Sequence, residues 1–184
     1  IEDKWYYELP DSILGRYLLA VTRFTAVPQS FGKFSGEAIN QQTLYFEQRD
    51  NKTINLRAYV LSQEADPKSR ISRTLKASTA DPIIASFKVI GRNKKTNNQL
   101  IEVTPLFIVS IPQNAAKQLK IGSLQSDRTF IDTMKVYPIN AEIATTRTYS
   151  STPSSAPASS TGAMTIGLNT SIVLLPKTPM RKRI

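Results

Sequence analysis

The 184-residue chain carries 24 Lys+Arg against 14 Asp+Glu, a net charge of +10, and 40% of its residues are hydrophobic, enough for a sizeable core and too apolar for a disordered chain. It contains no cysteine and no histidine, which excludes disulfides, imidazole or thiolate zinc sites, and serine-histidine or cysteine-histidine nucleophiles. No continuous apolar run reaches the roughly 18 residues needed to span a bilayer, and neither end reads as a signal peptide; Ile1 stands where a methionine would begin a whole chain, so a processed or excised piece is expected.

Strand periodicity dominates from the N-terminus onward. After Pro10, "DSILG" predicts a short helical piece with Asp11 as N-cap, halted at Gly15. Residues 17 to 24 are apolar and β-branched enough for an inner strand. In "TLYFEQRDNKTINLRAYVL" (43 to 61), Leu44 and Phe46 alternate, the chain turns at Asp50, Asn51 and Lys52, and Ile54, Leu56, Ala58 and Val60 alternate on the return. That pattern predicts a β-hairpin with a short polar loop. A second hairpin follows, with Ile83, Ala85, Phe87 and Val89 on one face, a basic loop from Arg92 to Asn98, and Ile101 and Val103 returning. "NAAKQLKI" (114 to 121) offers two helical turns, and "TFIDTMKVYP" (129 to 138) alternates Phe130, Met134 and Val136 until Pro138 ends the strand. Residues 142 to 149 supply another strand. "SSTPSSAPASSTG" (150 to 162) is too rich in Ser and Pro to bury apolar surface and reads as a mobile hairpin loop. Met164, Ile166 and Leu168 open the last strand, 164 to 175, which is expected to complete a sheet. The sum is a mainly β protein, an antiparallel sandwich or a strongly bent sheet with short helical segments, in one domain covering 1 to 184.

Chemical motifs are sparse. Ser30 and Lys33 match the S-x-x-K spacing in which a desolvated lysine activates a hydroxyl, but no S-D-N or K-T-G companion is present and a polar loop around Gly32 accounts for both residues. Asp127 and Asp132 are a carboxylate pair on paper, with surface solvation the plainer reading. No catalytic, cofactor-binding or metal residue is assigned. Trp5, Tyr6, Tyr7 and Phe31 offer stacking surface for a sugar, against the more ordinary role of aromatic residues as core. The charge is uneven: residues 1 to 64 hold 7 basic against 8 acidic side chains, and residues 65 to 184 hold 17 against 6. A basic surface attracts polyanions, yet the stretch from Lys68 to Lys95 has Phe87 as its only aromatic, without the interleaving that single-strand readers use, so nucleic acid is not the expected partner.

Five segments together resemble a specific family: "WYYELPDSILGR" (5 to 16), "FGKFSGEAINQQTLYFEQR" (31 to 49), "LKASTADPIIASFKV" (75 to 89), "DRTFIDTMKVYPINAEI" (127 to 143) and "SIVLLPKTPMR" (171 to 181). They resemble, in order and over nearly the whole chain, the β-rich region preceding the catalytic domain of large, exported bacterial zinc-dependent metalloproteases of metzincin-like type. The resemblance implies a non-catalytic N-terminal accessory domain that packs against the catalytic domain of the same polypeptide and shapes access of polypeptide substrate. It implies that zinc, and the H-E-x-x-H helix that holds it, lie in a further domain, because no histidine here matches a ligand. Lys182 stands where relatives tend to have proline. On this view residues 176 to 184 begin a linker, Met180, Arg181, Lys182 and Arg183 are the inter-domain contact, and the protein is exported. The competing expectation is an independent module that binds a glycan, a protein or an anionic polymer.

Overall fold

The structure, a computed structural model, describes residues 4–29, 32–60, 79–107, 121–151 and 161–178. Nine strands follow one another: β1 (Tyr6–Leu9), β2 (Leu18–Ala26), β3 (Ala38–Asp50), β4 (Thr53–Ala58), β5 (Ile83–Arg92), β6 (Gln99–Glu102), β7 (Ile121–Val136), β8 (Asn140–Ser151) and β9 (Ala163–Leu174). They form one sheet in the order β1-β6-β5-β4-β3-β2-β9-β8-β7, with every pairing antiparallel. The sheet curls into a half-barrel. Of the two architectures expected from the sequence, the strongly bent sheet is the one adopted.

Curling is what lets one sheet enclose its own core. Residues of alternate parity share a face in each strand, and the inward set is apolar at one end of every central strand: Leu18 on β2, Leu44 and Phe46 on β3, Ile54 and Leu56 on β4, Phe87 on β5, Ile101 on β6 and Ile143 on β8 belong to one buried cluster. Phe24, Tyr149, Met164, Ile166 and Leu168 form a second cluster where β2, β8 and β9 meet. Each such side chain contributes roughly 1.5–3 kcal/mol by leaving water.

Both predicted hairpins are present, β3–β4 turning at Asn51–Lys52 and β5–β6 across the Arg92–Asn98 loop. Register slips account for the inward positions that failed. Val60 lies beyond the end of β4 and Ile83 falls at the slip where Arg57 pairs with it, so these two are 56% and 50% exposed. On β7, slips between Gln125 and Phe130 and between Ile131 and Thr133 turn Phe130 outward while Met134 stays opposite Ile143.

β9 joins the sheet as expected, seated between β2 and β8. Two further points differ from the sequence reading. Asp11 is the first residue of a 3-10 turn (Asp11–Ile13) rather than its cap; Pro10 takes the cap position, and the Asp11 carboxylate accepts from Gln99 Nε2 at 3.1 Å. β1, which the alternation did not reveal, is held to β6 from Tyr6↔Glu102 to Leu9↔Gln99. Besides that 3-10 turn, one helical turn, Thr104–Phe107, is present among the described residues. The helix expected at 114 to 121 falls outside the described residues except at Ile121, which opens β7, and the body of the 150 to 162 loop also lies outside them.

Candidate functional site: the trough on the concave face

The concave face of the sheet surrounds a cavity of about 870 Å³. Its floor is the apolar end of the core: Leu18, Leu44, Phe46, Leu56, Ile172 and Leu174. Its rim is the β7–β8 turn, where Val136, Tyr137 and Ile139 are 73%, 50% and 65% exposed. The turn is held by Tyr137 N–H donating to the Asn140 carbonyl at 2.7 Å and by Leu174 N–H donating to the Ile139 carbonyl at 2.8 Å. A monomer seldom leaves so many neighbouring large apolar side chains in water without a partner for them.

The cavity is not uniformly apolar. Inward positions on β2, β3 and β9 change from hydrocarbon to polar one turn of the pleat beyond Leu18, since Thr22 pairs with Asn40 and Thr170, and Ala20 with Gln42. The Thr22 and Thr170 hydroxyls lie 2.9 Å apart. The side chains of Asn40 and Gln42 line the cavity and make no hydrogen bond to another described residue. Beyond this band stands Arg147, 7% exposed, its Nε donating to Thr145 Oγ1 at 3.3 Å. Burial pulls its pKa below the ordinary guanidinium value, with Tyr149 opposing that shift. At the opposite end Tyr7 packs edge-on against Phe107, ring centroids 6.1 Å apart. Its hydroxyl is buried without a partner among the described residues, and burial raises its pKa.

The sequence candidates are scattered by the fold. Lys33 is ion-paired with Glu37, and Ser30 lies outside the described residues, so no serine-lysine pair is assembled among them. Asp127 pairs with Arg128 at 3.3 Å, whereas Asp132 accepts from Thr146 Oγ1 at 2.9 Å; each carboxylate has its own neighbour. Trp5, Tyr6 and Tyr7 all line the cavity, with Trp5 and Tyr7 packed against the buried core and Tyr6 38% exposed, and Phe31 lies outside the described residues. The loop from Arg92 to Asn98 is a hydrogen-bonded hairpin tip tied to Glu8. Met180, Arg181, Lys182 and Arg183 lie outside the described residues.

What sequence reasoning missed is the inward phase of polar residues. Asn40 and Gln42 share parity with Leu44 and Phe46, and Arg147 shares parity with Ile143 and Tyr149. That parity was the available signal. A clustering of donors able to hold a metal is not found among the described residues, and none of their helices is long and apolar enough to cross a membrane.

Residues 36–184 match the family model described as Domain of unknown function (DUF5117), and residues 1–27 match the one described as Domain of unknown function (DUF5118). No curated protein and no solved structure matches. β1 and β2 lie in the shorter matched region and are hydrogen-bonded to β6, β3 and β9 of the longer one, so the two regions share one sheet.

Proposed function

The chain belongs to the DUF5117 family of domains of unknown function, and from that premise we propose that it is a non-catalytic accessory region of an exported bacterial zinc-dependent metalloprotease. In this reading it packs against the catalytic domain of the same polypeptide and limits which polypeptides reach the cleft. Zinc would be held by that other domain, since this chain has neither imidazole nor thiolate to offer.

The observation that carries the reading is the trough: an apolar floor open to a rim of exposed Val136, Tyr137 and Ile139 is half of a packing interface. The resemblance of the five segments supplies the identity of the other half. A glycan module would instead need exposed aromatic platforms with polar groups beside them, whereas Trp5 and Tyr7 pack against the buried core.

Deleting residues 1 to 184 from the longer protein and measuring hydrolysis of a short peptide and of a folded substrate tests the proposal. Loss of discrimination between the two substrates is expected, with the short peptide still cleaved. Unchanged rates on both, with the catalytic domain folded, would refute it.

A further inference from the structure

We infer that the trough binds an extended polypeptide segment of about six residues, with an acidic group at the Arg147 end. The inference rests on the accessory reading and divides the trough between two roles: the exposed rim of Val136, Tyr137 and Ile139 meets the catalytic domain, and the floor receives the polypeptide on its way to the cleft. From Ala141 to Arg147 the face runs six steps along β8, roughly 20 Å at about 3.3 Å per residue. An extended peptide of the same length fits that span.

The distribution of polar groups decides between a polypeptide and a plain hydrocarbon ligand. An acyl chain lying along the trough would strip water from Asn40, Gln42 and the Thr22–Thr170 pair and return nothing. Each amide stripped of water without a new partner weakens binding. A peptide brings a donor and an acceptor at every residue. Asn40 and Gln42 each present both a carbonyl and an NH2 group to the cavity, uncommitted to other described residues, which is the inventory that pairs with a backbone in either direction. The Tyr7 hydroxyl adds a buried donor without a partner among the described residues. Apolar side chains of the peptide would then occupy the floor below.

Charge sets the polarity of the segment. Arg147 lines the cavity, and its position on the floor of the sheet among Ile166 and Tyr149 puts a guanidinium where the surroundings are poor in water. A carboxylate from a Glu, an Asp or a chain terminus matches it by charge and by fork geometry. The trough therefore favours acidic-apolar over basic-apolar segments, in the same sense as the net charge of +10.

The test uses the 184-residue chain and a degenerate pool of dansyl-labelled hexapeptides with Leu, Val or Phe at five positions and one Glu. Fluorescence titration should show saturable binding. A matched pool with Gln for Glu, and a second pool with N-methylated backbone, should each bind on the order of tenfold more weakly, about 1.4 kcal/mol. The double variant Asn40→Leu/Gln42→Leu should lose a similar factor for both Glu and Gln pools. Arg147→Gln should abolish the preference for Glu while sparing the Gln pool. Absence of saturable binding overturns the inference, as does tighter binding of lauric acid than of the Glu pool, or equal affinity for methylated and unmethylated peptides. The two pool comparisons are made on the unaltered chain, so they decide even where a variant fails to fold. Because no protease domain is present, a failure here leaves the deletion experiment on the longer protein to stand or fall separately.

Discussion

The carboxylate of Glu8, on the edge strand β1, accepts a hydrogen bond from the hydroxyl of Thr96 at 2.6 Å, 88 residues further along the chain. Asn93 and Asn98 donate to the same oxygen at 3.0 Å each. These three bonds hold the Glu8 pKa below the usual carboxylate value, against a smaller opposing effect of burial. A depressed folded pKa means that the contribution is present above the unfolded value near 4.5 and is lost as pH falls through the folded one. Replacing Glu8 by Gln should speed amide exchange at Lys95 and Asn97 at neutral pH and leave the global melting temperature nearly unchanged. Unaltered exchange at the tip would show that the loop is self-supporting.

Removing residues 1 to 27 strips β1 and β2 from the sheet and bares the backbone edges of β3 and β9 along their lengths. Exposed interior edges pair with whatever strand is available. The truncated chain should elute as oligomers or precipitate where the full chain does not. A monodisperse, folded 28–184 fragment would contradict the single-sheet architecture.

Leu56 is 2% exposed at the middle of the first core cluster. Leu56→Ala should cost about 2–5 kcal/mol through lost transfer energy and the cavity left behind. For a chain of this size that lowers the thermal midpoint by roughly 2–4 °C per kcal/mol. A shift under about 2 °C would place Leu56 outside the cooperative core.

Gly167 and Gly91 offer a contrast at equal chemistry. A Cβ on Gly167 would sit 2.6 Å from Thr25 Oγ1 and 3.1 Å from the Ala26 backbone nitrogen, at the bulge where β2 slips between Phe24 and Ala26. The backbone atom cannot swing aside, so Gly167→Ala should destabilise by about 1–3 kcal/mol. A Cβ on Gly91 meets nothing within 4 Å, and Gly91→Ala should be neutral or slightly stabilising. Equal urea midpoints for the two variants would refute the contact.

Tyr45 donates to Asp81 Oδ2 at 2.9 Å, and partial burial together with that bond pushes its pKa up to about 12 from 10.0. The folded state therefore favours the protonated phenol. Its contribution is complete below the unfolded value of 10.0 and is lost as pH rises toward 12. Ultraviolet titration of wild type against Tyr45→Phe should assign one late-titrating phenol to this position. A difference spectrum centred at 10 would overturn the assignment.

The alternation of Ile54, Leu56 and Ala58 made β4 legible, and Met164, Ile166 and Leu168 made β9 legible, because a half-buried strand writes its burial at every second residue. Strand order was not legible. Nothing local in 164 to 174 distinguishes a border strand from one seated between β2 and β8, since ladder partners are chosen by the other strands. Phe130 failed because a bulge resets parity without leaving a compositional mark. The trough was hidden for a different reason: Asn40, Gln42 and Arg147 look solvated by type and are inward by phase.

The pairing of β2 with β9 has a temporal meaning as well as a spatial one. Thr22 meets Thr170, 148 residues further along the chain, so β2 waits through most of synthesis with one flank open. A ribosome adding about 5–20 residues per second leaves it so for roughly ten seconds. Contacts that distant fold late and slowly. The half-barrel cannot close progressively from its N-terminus; it closes when its last strand arrives between β2 and β8.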